Sequence, residues 1–163
     1  MKAHRRIFKL VLLGLAGVIT ACASQSIKRA EKGDMRSKNR VLVAGERSEF
    51  KDAVIARVVQ ALEKEACYVK LMDVDDLTGE STKPYRAVVL VNSCWFWRLR
   101  RPVLKFLAKA KEKEKVILLT TAGNDEWREK DIRVDAITSA SKMSKAKGVA
   151  ETLVEKVRGR LGR

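Results

Sequence analysis

An α/β domain with a parallel sheet covered on both faces is the fold class predicted for residues 39–163. Two observations point to it. Apolar, mostly β-branched runs recur along the chain, and such continuous runs mark strands buried on both sides. Between them stand segments whose apolar residues recur at helical spacing, and strand alternating with helix gives a doubly wound sheet.

The first strand is expected at residues 41–44. The helix after it, EFKDAVIARVVQALEKE at residues 49–65, repeats Phe50, Val54, Val58, Ala61 and Leu62 along one face. Ser48 is placed to cap it, and Glu49 and Asp52 in its first turn suit the positive end of the helix dipole. Further strands are expected at 68–74, 87–91, 116–120 and, with a weaker pattern, 134–138. Pro102 favours a helix start, and Val103, Phe106, Leu107 and Ala110 give that helix an inward face, with Lys111, Lys113 and Lys115 at its C-terminal end. A last helix over 146–161 turns Val149, Leu153, Val157 and Leu161 inward.

This order of parts resembles the flavodoxin-like fold over the whole of residues 39–163, including the short link DVDDLTGESTKPYRAVVLV between the second and third strands. The resemblance implies five parallel strands in the order 2-1-3-4-5. The link from the fourth strand to the fifth, TAGNDEWREKDIR, is thirteen residues long. A parallel crossover needs a dozen or more, so the fourth helix is expected to be reduced.

Open α/β sheets bind ligands beyond the carboxyl ends of their strands, which singles out three loops. After the first strand comes Gly45-Glu46-Arg47-Ser48-Glu49. Flavodoxins carry a Ser/Thr-x-Thr-Gly-x-Thr loop there, whose hydroxyls and amides cradle the flavin phosphate. Here only the Ser48 hydroxyl remains, and Glu46 and Glu49 would repel a dianion unless Arg47 offset them, so the usual phosphate site is absent. The second loop, Asn92-Ser93-Cys94-Trp95-Phe96-Trp97-Arg98, is followed by Arg100 and Arg101. Its aromatics can stack on a flat ligand, dock on a membrane or protein, or cover the sheet end in place of the missing helix. The third, Thr121-Ala122-Gly123-Asn124-Asp125-Glu126-Trp127, is similar to the second flavin-flanking loop of flavodoxins, with Gly123 and Asn124 in the turn and Trp127 where an aromatic often sits.

The segment Asp135-Ala136-Ile137-Thr138-Ser139-Ala140-Ser141 resembles the D-x-x-S/T-G-A-T motif of the FMN-binding domain family, in which the final Thr carries the flavin. The segment has Ser139 where that motif has Gly, and Ser141 where it has Thr. A strand end with serines capping the last helix also accounts for it, and is the preferred reading because such residues favour that position.

The chain's beginning carries a separate signal. Lys2, Arg5, Arg6 and Lys9 stand with no acid before LVLLGLAGVITA, residues 10–21. That is a positive region followed by an apolar one too short for the ~20 residues that span a bilayer. The run ends Ile19-Thr20-Ala21-Cys22, which resembles the lipobox of bacterial lipoproteins. The resemblance implies a signal peptide at 1–21, cleavage before Cys22, diacylglyceryl attachment to its thiol and acylation of the new amino group. Two or three chains give stable anchorage. Residues 22–38 are polar, mixed in charge and without periodicity, and are expected to be a lipid-anchored flexible tether. Ala23, rather than Asp, leans toward the outer membrane if the host has one.

The formal charge is +15 at pH 7. In an exported protein anionic lipid headgroups are the natural counter-surface, a solvated basic surface is an equal alternative, and nucleic acid is not an expected partner. His4, the only histidine, leaves with the leader, and no zinc spacing or nucleophile elbow is present. Cys67 opens the second strand and Cys94 closes the third, at opposite ends of the proposed sheet, so no disulfide is expected between them. The expectation is an envelope lipoprotein with a non-catalytic binding domain that acts through its Trp/Arg loop. Its alternative is an FMN-binding electron-transfer protein, the flavin lying between Trp95 or Trp97 and Trp127.

Overall fold

The computed structural model describes residues 26–123, 125–128 and 132–162. The expected leader, Cys22 and the start of the expected tether lie outside these residues, as does Asn124. The elements are β1 (Ala30–Lys32), β2 (Arg40–Gly45), α1 (Glu49–Lys64), β3 (Tyr68–Asp73), β4 (Ala87–Ser93), α2 (Arg101–Lys109), β5 (Val116–Ala122), β6 (Asp135–Ala140) and α3 (Ala146–Leu161), with a 3-10 turn at Val74–Gly79.

One six-stranded sheet has the order β1-β3-β2-β4-β5-β6. Strands β2 to β6 are parallel and carry the arrangement expected from the sequence. The expected five-stranded, wholly parallel sheet is corrected by β1, which pairs antiparallel with β3, Ala30 opposite Leu71 and Lys32 opposite Val69. Residues 30–32 were expected within the tether and form the sheet edge instead. An edge strand takes its stability from backbone pairing and one anchor, so it needs no apolar periodicity. The anchor is Ile27, buried in the core, and Gly33 turns the chain at a left-handed φ of 81°.

Alternate strand residues face opposite layers. Val41, Val43, Val89, Val91, Ile117 and Leu119 meet α1 and α3, while Leu42, Val88, Leu90 and Leu118 meet α2 and the 3-10 turn. Helix α1 begins as its residues predict, the Ser48 hydroxyl accepting the Lys51 amide at 3.2 Å. Pro102 stands one residue inside α2, where its missing N–H is harmless. Between β5 and β6 the described residues contain no helix. Trp127, Ile132 and Val134 cover that part of the sheet face in its place, packed against the α2-side core, and the Thr138 hydroxyl donates to the Trp127 carbonyl at 2.5 Å.

Candidate functional site

The carboxyl ends of β2, β3 and β4 open into a crevice of about 740 Å³ lined by Ser26, Glu46, Asp73, Ser93, Trp95 and Arg100, with Lys51 and Asp75. Its position follows from topology. Strand β2 is central, and its neighbours β3 and β4 continue the chain in opposite directions, which leaves a gap above their ends.

Glu46 occupies the floor of this gap. Its side chain is buried, and its carboxylate takes the Lys51 ammonium at 2.8 Å, the Ser93 hydroxyl at 2.8 Å and the Ser93 amide at 3.1 Å. Lys51 reaches back from the first turn of α1, is buried as well, and also donates to the Ser93 hydroxyl oxygen. Arg100, just before α2, stands 3.8 Å from the Glu46 carboxylate and pairs with Asp75 at 2.8 Å. Burial pushes the Glu46 carboxyl up, but the Lys51 and Ser93 contacts outweigh it and hold it below its ordinary range. On the far wall Asp73 accepts the Ile27 amide at 2.8 Å and the Asp75 amide at 3.0 Å, fixing the chain's entry into the fold and starting the 3-10 turn.

These bonds decide whether a flavin phosphate fits. Of the groups in the matching loop, Arg47 is held by Asp52 at 3.0 Å, the Ser48 hydroxyl caps α1, and Lys51 is neutralised by Glu46. An incoming dianion would face Glu46, Asp73 and Asp75 across the same crevice. The residues present do not fit an FMN phosphate. The anion position is already taken by the protein's own Glu46 carboxylate.

Above the crevice, residues 95–98 form a two-residue hairpin. Trp95 and Arg98 exchange backbone hydrogen bonds at 2.8 and 2.9 Å, and Phe96 and Trp97 turn the chain with left-handed φ values of 46° and 64°. Trp95, Phe96 and Trp97 are 62, 89 and 74% exposed. The base is held by Leu99, which is buried, and by the Cys94 amide donating to the Thr121 carbonyl at 2.8 Å.

The expected loop residues therefore separate. Cys94, Trp95, Trp97 and Arg98 share one hairpin, whereas Trp127 is turned into the α2-side core and is absent from the crevice that Trp95 lines. Gly123 is exposed on the third loop, and the adjoining Asp125 accepts the Ala140 amide at 2.6 Å and pairs with Lys145, contacts that hold its carboxyl below its ordinary range. Asp135 lies in β6, paired with Lys156 and Arg160, and Ser141 is exposed just beyond that strand. Cys67 is buried before β3 and Cys94 half-buried after β4, so the two thiols stand at opposite ends of the sheet. Among the described residues no group of His, Cys, Asp and Glu is arranged to hold a metal ion. The sequence reading missed Lys51 and Ser93 as partners of Glu46. The one available signal was a lysine a turn into a helix that begins after an acidic loop.

No protein-family profile matches the chain, and no curated protein matches it in sequence. Solved structures match in fold. A flavodoxin from the domain Archaea superposes with a TM-score of 0.54 at 11% identity, covering 74% of this chain and 98% of that one. The NAD(P)H:quinone oxidoreductase from Methanothermobacter marburgensis gives 0.51 at 10% identity, covering 75% and 98%. A flavo di-iron protein variant from Thermotoga maritima gives 0.54 at 14% identity, covering 80% of this chain and 37% of that longer one. These superpositions show the flavodoxin-like fold of the domain, and at such low identity they show the fold alone.

Proposed function

We propose that this chain is a lipid-anchored protein of the cell envelope whose flavodoxin-like domain binds rather than catalyses, with the 95–98 hairpin as its binding element. The observation that carries the reading is the contrast at the sheet end. The polar groups of the crevice are engaged with one another, while three adjacent aromatic side chains above it are exposed. Large exposed apolar groups on a fixed turn mark a contact surface. Anchorage through Cys22 rests on its lipobox-like context alone. Replacing Cys22 by Ser should move the protein from the membrane to the soluble fraction, and unchanged membrane fractionation would remove the anchor from the reading.

A second reading, an FMN-binding electron-transfer protein of the envelope, is favoured by the flavodoxin and quinone oxidoreductase among the fold neighbours and by Trp95 beside the crevice. A flavin ring would stack on Trp95, and the Glu46 pairing opposes its phosphate end. Protein purified from its host discriminates the readings. Flavin absorbance at one cofactor per chain establishes the second, and a colourless protein that takes up no added FMN leaves the first. Mass spectrometry of the same sample is expected to show no flavin adduct on Ser141.

A further inference from the structure

The chain enters the fold at the sheet end that carries the hairpin. Ser26 lines the same crevice as Trp95, and the Ile27 amide is bonded to Asp73 at the end of β3. Strand β1 then runs away from that end, antiparallel to β3. Four peptide units separate Ser26 from Cys22, so their Cα atoms lie within about 15 Å of each other, whatever path the chain takes. A lipid on Cys22 is therefore tethered within short reach of the sheet end that carries the aromatic tip.

The tip is built in an uncommon way. A two-residue hairpin with both central residues left-handed ordinarily uses Asn-Gly, because a side chain's Cβ is crowded there. Here Phe96 and Trp97 occupy those positions and are the most exposed large apolar side chains among the described residues. A turn needed only to reverse the chain would not hold two bulky rings in a disfavoured conformation. Beside it in the chain, Arg98 and Arg101 are exposed and have no carboxylate partner among the described residues. Aromatic rings with arginines beside them match the bilayer interface, where Trp settles at headgroup depth and cations meet anionic lipid.

We propose that the 95–98 hairpin is a membrane-docking element that inserts Trp95, Phe96 and Trp97 into the headgroup region of the bilayer that holds Cys22. This deepens the anchored-protein reading and rests on it. Docking at a second point fixes the domain's orientation, with the hairpin end of the sheet facing the membrane.

The test uses the processed protein purified from its host and reconstituted into vesicles of phosphatidylcholine and phosphatidylglycerol carrying brominated acyl chains, which quench nearby indoles. Trp95 and Trp97 should lose most of their emission. In the variant W95F/W97F the remaining emission, from the core-packed Trp127, should be unaffected by bromination. Intact mass and vesicle flotation report the anchor separately. Acylated, floating protein whose emission is unquenched overturns the docking while sparing the anchor, and assigns the tip to a protein partner or flat ligand. Protein without acyl mass on Cys22 overturns both.

Discussion

The Lys51 ammonium stands 2.8 Å from the Glu46 carboxylate, with both side chains nine-tenths or more buried, at the end of the central strand. Breaking a buried pair leaves an uncompensated charge, at a cost of about 3–5 kcal/mol. Glu46→Ala should lower unfolding stability in urea by roughly that amount. Because the vacated position faces the crevice, Lys51, the Ser93 hydroxyl and amide, and Arg100 would then converge on an open anion site. Acetate or phosphate should restore part of the lost stability in Glu46→Ala and leave the parent unchanged, as binding to the folded state requires. Equal anion effects on both proteins would show that Glu46 does not occupy such a site.

The same carboxylate sets an acid limit. Glu46 titrates below its ordinary value of 4.5 in the folded state. Its contribution is therefore complete above that ordinary value and is lost as pH falls through the lower folded one. Asp135 adds to this in the same direction, since burial raises its carboxyl but Lys156 and Arg160 bring it below its ordinary 3.8. Urea midpoints should hold steady near neutrality and fall steeply below the ordinary carboxylate values. The fall should be shallower in Glu46→Gln, which has no carboxyl to titrate there; an identical profile would count against the assignment.

Phe96 and Trp97 hold left-handed backbone at φ 46° and 64°. Replacing them together by Asn and Gly should relieve a cost of ~1–2 kcal/mol per strained residue and raise the thermal midpoint. The same change removes two of the three exposed rings, so stability should rise as contact with membranes or partners falls. A lower midpoint would mean that the rings stabilise the isolated domain.

Gly33 links the edge strand to the rest of the sheet at φ 81°, and a Cβ there would lie 2.1 Å from the Cys67 carbonyl oxygen. Gly33→Ala should destabilise the fold by more than about 1 kcal/mol. Amide exchange at Ala30, Glu31 and Lys32 should accelerate before that of β2 or β4, because the edge strand is the part that must shift. Uniform acceleration across the sheet would locate the strain elsewhere.

The parallel strands and all three helices were legible before any coordinates. Val41, Val43, Val89 and Ile117 alternate with Leu42, Val88 and Leu118, and a run apolar at both phases fits only a strand buried on both faces. Ser48 and the spacing of Val149, Leu153 and Val157 likewise act locally, through a cap and one helix face. The lipobox-like context of Cys22 is a local signal too, but it lies outside the described residues and stays a proposal.

Tertiary structure decided what depends on distant partners. Edge strand β1 has no periodicity of its own and exists because β3 offers it a row of backbone groups and Asp73 holds Ile27. Trp127 and Trp95 look alike along the chain, yet Trp127, on the link between β5 and β6, packs against the α2-side core, while the hairpin holds Trp95 out. Lys51 and Ser93, 42 residues apart, meet Glu46 only because β2 and β4 pair in register. Short-range patterns determine elements because their energetics lie within a few turns; the site depends on which loops the sheet order brings together, and that is a property of the packed chain.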